Sequence, residues 1–233
     1  MKLRLVKRRA LRIFFGVVVG ILILVGVIWL LSRTLGNHAT LYVGKSMEDW
    51  MQQLDSHDAG ASNQAYEALN TQIIPRLVDQ MFHDTNDSKI RLLLIETLNG
   101  IPGVQINFAK AETRRASAAN YLGLFGSPAK AAVPSLIQAL KGPDAGLHEP
   151  AIAALGKIHS NPDVVIPLLI PYLTNDDVND EAASALGNYG SLAKEAFPKI
   201  VPLLQARDKD ARAAARVALK QIDPEAAANA GVK

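Results

Sequence analysis

Four leucines, Leu122, Leu155, Leu186 and Leu219, recur at steps of 33, 31 and 33 residues. A period of that size restricts a chain to stacked helical pairs, since one pair cannot bury its apolar face alone. The chemistry around each leucine repeats as well. Ala118, Ala151, Ala182 and Ala215 stand four residues before it, and Phe125, Ile158, Tyr189 and Ile222 three after. Gly123, Gly156 and Gly187 follow the first three leucines directly.

A second signature alternates with the first. Pro75, Pro134, Pro167 and Pro198 follow Ile74, Val133, Ile166 and Phe197, and six residues later come Met81, Leu140, Leu173 and Leu204. Between them lie Leu77, Leu136, Leu169 and Ile200, so that steps of three and four put one apolar stripe on a helix. Proline in a first turn costs little, because that N–H has no intrahelical partner. Pro171 and Pro202 lie a turn deeper and predict kinks. Leu69 and Leu98 read as two further leucine-anchored copies upstream, for roughly five to six helical pairs. Eleven residues before an anchor stand Asp58, Asp87, Asp144, Asn175 and Asp208, in the place and of the type that caps a helix.

Two places depart from the period. Leu98 and Leu122 are only 24 residues apart, and Ile101 to Phe108, with its alternating Val104, Ile106 and Phe108, predicts an extended segment crossing the array where a helix is missing. In the last copy Arg216 and Lys220 replace small or apolar residues, as suits a terminal cap, and the tail beyond Asp223 is expected to fray.

The N-terminus has another character. Lys2, Arg4, Lys7, Arg8, Arg9 and Arg12 precede an uncharged apolar run over residues 13–31. At 1.5 Å per residue that run spans roughly 28 Å, the thickness of a bilayer core. It is longer than a signal-peptide apolar region, and Asn37-His38-Ala39 is a poor cleavage site, so an uncleaved anchor is expected. The bases before it place the N-terminus in the cytoplasm and the remainder of the chain on the other side, periplasmic in a cell with an outer membrane. The expected organisation is a basic cytoplasmic tail (1–12), a transmembrane anchor (13–31), a linker (32–45), a repeat solenoid (46–224) and a C-terminal tail (225–233). Gly16 and Gly20 form a GxxxG that offers weak self-association between such anchors. In the linker's wake, Ser46 and Asp49 predict a capped helix whose Trp50 plugs the first repeat.

The stretches AAVPSLIQALKGPDAGLHEPAIAALGKI and EAFPKIVPLLQARDKDARAAARVALKQI resemble HEAT-repeat proteins. The chain is most similar to the membrane-anchored bacterial kind, in which the anchor is followed by a GKxxxxW helix, here Gly44-Lys45 through Trp50. The resemblance implies an all-α, HEAT-like superhelix that binds a protein partner on a concave side lined by the leucine-anchored helices. It also implies ladders of Asp and Arg between repeats. The arginine side stands at Arg91, Arg114 and Arg212 and is interrupted by His148 and Asn179. On the binding side it implies contacts from Arg114, Asn120, Tyr121, His148, Lys157, Asn179 and Asn188.

Other classes of function find less support. Residues 1–36 hold seven of the 25 Lys and Arg and no acid, which leaves 18 bases against 22 acids elsewhere. That net of −4, with 6% aromatics, argues against a nucleic-acid reader. The chain has no cysteine, hence no thiolate metal site or thiol nucleophile. It also has no phosphate loop and no nucleophile elbow. His148-Glu149 is the one pair similar to the di-iron dyads of the HEAT-like deoxyhypusine hydroxylases. It is not repeated at Arg114-Arg115, Asn179-Asp180 or Arg212-Ala213, so it cannot assemble such a site. The expectation is a membrane-tethered scaffold that is not an enzyme and holds no cofactor or metal. An accessory subunit of a HEAT-like enzyme, or such an enzyme itself, and a structural envelope protein are the rivals.

Overall fold

In the computed structural model the described residues are Gly26, 42–85, 87, 89–102, 104–106 and 108–232. The basic tail, the anchor apart from Gly26, the pair Gly16 and Gly20 and most of the linker lie outside them. No helix among the described residues is long and apolar enough to cross a membrane. The chain divides into two compact units, one formed by Leu41–Thr85 with Ala111–Lys233, the other by Met1–Thr40 with Asn86–Lys110.

The first unit is the helical array, and it opens on a clasp. Tyr42 and Lys45 pair across a turn whose Val43 and Gly44 take φ of 54° and 79°. Helix α1 (Met47–Leu54) follows, with Ser46 and Asp49 capping each other as expected. Trp50 is buried, its indole N–H donates to the Tyr42 carbonyl at 2.6 Å, and the Lys45 ammonium lies 4.6 Å from its ring centre. The glycine, lysine and tryptophan of the GKxxxxW stretch thus hold one another, and Trp50 is the plug the sequence predicts.

Helix α2 (Ala59–Ala68), capped by Asp58, runs through a π turn (Leu69–Ile73) into α3 (Ile74–His83). The sequence predicts two helices here, and the structure has one continuous helix. Nothing between Leu69 and Pro75 breaks a helix, and the wider turn lets the ladder pass Pro75, which has no N–H to give. It also aligns Leu69, Ile73, Leu77 and Met81 in one fully buried stripe.

Helix α4 (Lys89–Asn99) belongs to the second unit. Within that unit Ile95 and Ile106 are buried, and the Asn99 amide holds Ile106 by both backbone groups, at 2.7 and 3.2 Å. The array resumes with α5 (Ala111–Leu124), α6 (Val133–Lys141), α7 (His148–Ile158), α8 (Pro162–Leu169), α9 (Asn179–Asn188), α10 (Phe197–Ile200) and α11 (Lys209–Ile222). Where kinks are predicted at Pro171 and Pro202, helices α8 and α10 tighten into 3-10 turns over Ile170–Thr174 and Val201–Gln205.

Helix α3 packs on α5 as α6 packs on α7, α8 on α9 and α10 on α11. Each pair therefore joins a proline helix to a leucine helix. The proline leads the leucine by 21 residues in Pro134–Leu155, 19 in Pro167–Leu186 and 21 in Pro198–Leu219, but by 47 in Pro75–Leu122. The excess of 26 to 28 residues is close to the 25 of 86–110, which separate the two halves of one pair in sequence. Leu98 is accordingly no rung of the array, against the sequence reading; an apolar run on a short helix imitates the repeat without belonging to its register.

The leucine helices pack in sequence, α5 on α7, α7 on α9 and α9 on α11. What sets their spacing is the glycine after each leucine. A Cβ at Gly123, Gly156 or Gly187 would stand 2.8, 2.6 and 2.8 Å from the Cα of Ala154, Ala185 and Ala218 on the next helix. The last copy has exposed Lys220 at this register and no leucine helix after it. Four residues past the leucine the chain turns with positive φ at Gly126, His159 and Gly190. Below that turn the buried Tyr189 hydroxyl donates to the Leu155 and Ser160 carbonyls, and burial pushes its pKa up to about 12.

The C-terminal tail does not fray. Asp223 accepts from the Ala226 N–H and caps a short helix, α12 (Pro224–Asn229), which buries Ala227 and Val232 against the core. An N-cap aspartate followed by a first-turn proline is a helix start that the alanine-rich composition conceals.

Candidate functional site

The close approach of Gly156 to Ala185 brings α7 and α9 together and leaves a shallow groove above them. Ala153, Lys157, Glu181, Ser184, Ala185 and Asn188 line a recess of about 200 Å³. Lys157 stands in the last turn of α7 and Asn188 ends α9, both exposed, so their polar ends face solvent over an alanine floor. Glu181 lies in the first turn of α9, and its pKa is raised to about 7. Burial is the main cause, followed by a hydrogen bond with the Asp180 carboxyl and the charges of Asp180 and Glu149. A cation placed there would favour the carboxylate.

The structure gathers only part of the expected contact set. Lys157 and Asn188 share this groove, and Asn120 is exposed on α5. Tyr121 is half-buried against the core. Arg114 is engaged elsewhere: it grips Asp84 with two bonds of 2.7 Å, both side chains about four-fifths buried. The His148 ring is 3.3 Å from the Gly142 carbonyl and edge-on to Tyr172. Asn179 is buried, at 3% exposure.

Several of these belong to the aspartate–arginine ladder. Asp58, Asp144 and Asp208 cap their helices as predicted, and Asn175 closes a turn by accepting from the Asp177 N–H. Asp144 also receives Arg115 at 3.1 Å, a contact from one pair to the loop of the next. Arg115 is not among the ladder residues the sequence suggests, although it lies seven residues before Leu122 as Arg212 lies before Leu219. Its neighbour Arg114 masks the register. Glu181 and Ser184 are missed for another reason: nothing in their local pattern distinguishes a helix face that abuts a neighbour from one that is merely solvated.

His148 and Glu149 do not meet further ligands. Among the described residues no group of three or more His, Cys, Asp or Glu is placed to hold a metal ion.

Comparison with known proteins agrees with the architecture. The family model of the PBS lyase HEAT-like repeat matches residues 114–142, which run from α5 through α6. No curated protein matches the chain. Among solved structures, the complex of CpcE and CpcF of phycocyanin lyase from Nostoc sp. PCC7120 is similar, with a TM-score of 0.50 and 21% identity over 82% of this chain and 68% of that one. An engineered protein matches with a TM-score of 0.41 and 22% identity, over 79% of this chain and 85% of its own. The chain carries HEAT-type repeats folded as an α-solenoid.

Proposed function

We propose that this chain is a protein-binding scaffold that receives its partner along the leucine helices, centred on the groove of Lys157, Glu181, Ser184 and Asn188. One observation carries this reading. The groove sits on a run of packed helices whose buried side is built from repeated leucine and alanine, while its open side carries unrelated polar groups. The repeat fixes the fold, and the residues that escape the repeat are free to recognise something. The scaffold is tethered by its apolar segment 13–31 to the inner membrane, with the solenoid outside the cytoplasm; the six preceding bases support that orientation.

The test is a photo-cross-linking residue placed at Asn188 or, as a control, at exposed Lys199 on α10, in cells expressing the full chain. A single defined adduct from position 188 and none from 199 is expected. Equal labelling from both positions, or none from either, overturns the reading.

A second reading has one observation in its favour. The matched family model and the similar complex are both named for lyases, and that complex joins two chains. On this reading the chain is an accessory subunit of a lyase-type enzyme. It would then purify in a fixed ratio with a second helical-repeat chain, whereas a scaffold tolerates unrelated partners.

A further inference from the structure

The four leucine helices carry at one register, seven residues before the anchor, Arg115, His148, Asn179 and Arg212. Three of the four reach back to backbone carbonyls, His148 and Arg212 to the loop that precedes their helix and Arg115 to the end of α3. Arg115 donates to Asp84 O at 2.9 Å, His148 stands 3.3 Å from Gly142 O, and Arg212 donates to Ala206, Arg207 and Asp208 O at 2.7, 2.7 and 3.0 Å. Arg115 also reaches forward to Asp144, the cap of the next pair. Asn179 is too short for either task. Its amide N–H₂ meets only Asp176, at 3.4 Å, and its Oδ1 is buried with no donor among the described residues.

Beside it lies a cleft of about 500 Å³, lined on one side by Leu173, Asp176 and Asn179 and on the other by Pro202, Leu203 and the loop Gln205 to Asp208. Asp208 is the counterpart of Asp144, since each stands eleven residues before its leucine. It caps its own helix through the Asp210 N–H but receives no arginine from the pair before it. The cleft thus stands where Arg115 reaches Asp144 in the earlier pair, and it is lined by the carboxylates of Asp208 and Asp176 and by Asn179, whose amide oxygen has no donor among the described residues. Arg207 on the rim answers only one of the two carboxylates in formal charge, and forms no ion pair among the described residues.

We infer that this cleft is a guanidinium socket that takes an arginine side chain of a protein partner. A planar guanidinium carries five N–H donors and stays charged, which suits a cleft lined by two carboxylates and an amide without a donor. The Asn179 amide turns about its broad second torsion to meet the incoming donor. Lysine, a point charge with three donors, satisfies the same acceptors less completely. The inference is independent of the α7–α9 groove and stands or falls without it.

The experiment follows the ¹⁵N side-chain amide signal of Asn179 in the full chain during titration with acetyl-Gly-Arg-Gly-amide. The signal should move and saturate. Citrulline in place of arginine, which keeps the shape and loses the charge, should bind at least about ten-fold more weakly. Asp208→Asn should weaken the arginine peptide by about the same factor, and Asn179→Arg, which supplies the guanidinium from within, should abolish competition by the peptide for a fluorescent arginine probe while leaving helical circular dichroism unchanged. Equal binding of citrulline or lysine peptides, undiminished binding to the Asp208→Asn chain, or no response at millimolar peptide overturns the assignment. So does an Arg207→Ala chain that binds no arginine peptide, since Arg207 would then be the recognition group and not a rim charge.

Discussion

Two rungs of the same array differ in how they close. Arg114 ties the first pair together through Asp84, and Arg115 reaches from that pair to Asp144 of the second. Between the third and fourth, Asn179 stands at Arg115's register and leaves Asp208 without an arginine. Both rungs share the backbone frame: leucine stripe, glycine against alanine, aspartate cap. What separates them is side-chain reach, a difference of a few methylene groups. A repeat can therefore lack one interaction without losing its fold, and the cap left over is chemically specific because the Arg115–Asp144 contact shows what such a cap accepts.

The comparison is broken most severely by removing an acceptor from the filled rung. Asp84→Ala removes both of its bonds to the mostly buried Arg114 guanidinium and should cost about 3 kcal/mol, read by denaturant unfolding. Attacking what the rungs share is the next largest effect. Gly156→Ala forces a Cβ to within 2.6 Å of the Ala185 backbone and should cost about 2 kcal/mol, despite alanine's better helix propensity. Lys220→Ala at the same register of the last pair, with no leucine helix beyond it, should stay within about 0.5 kcal/mol.

Alanine at the differing position itself sharpens the contrast. Arg115→Ala should cost about 1.5 kcal/mol, since it loses a charge-assisted bond to Asp144 and a carbonyl contact. Asn179→Ala should change stability by less than about 0.5 kcal/mol, because a buried acceptor without a donor contributes nothing to lose.

The smallest effect concerns Glu181. Its folded pKa, about 7, lies above the ordinary value of 4.5, so the folded state binds the proton more tightly than the unfolded one. Stability from this group is present below the ordinary value and lost as pH rises through 7. Glu181→Gln should flatten that slope, measured as the urea midpoint from pH 5 to 8, and should be the more stable chain at pH 8.

How much of this was legible beforehand follows from what repeats. The leucine and proline signatures and the caps at Asp58, Asp144 and Asp208 are local patterns that recur, the Trp50 plug is a local pattern of its own, and each predicted what the structure shows. The segment 86–110 was misread because Leu94, Leu98 and Ile101 reproduce the anchor's spacing in a stretch that belongs to the other compact unit. The continuous helix over 59–83 was missed because a π turn has no residue signature of its own. Of the expected contacts, Lys157 and Asn188 meet in one groove, whereas Arg114, His148 and Asn179 are drawn inward. Polar residues at one register look alike in sequence; whether they face a partner or an acidic loop depends on the pair that follows.

The claim beneath the comparison is that Asn179 holds an arginine's place. Thermal unfolding of the Asn179→Arg chain tests it most directly. If the cleft is arginine-shaped, the new guanidinium meets Asp208 and the loop carbonyls and stability rises by about 1 kcal/mol, a midpoint roughly 2–4 °C higher. A midpoint that falls by that amount would mean the cleft cannot accept the side chain, and the rung would have to be understood as closed by Asn179 itself.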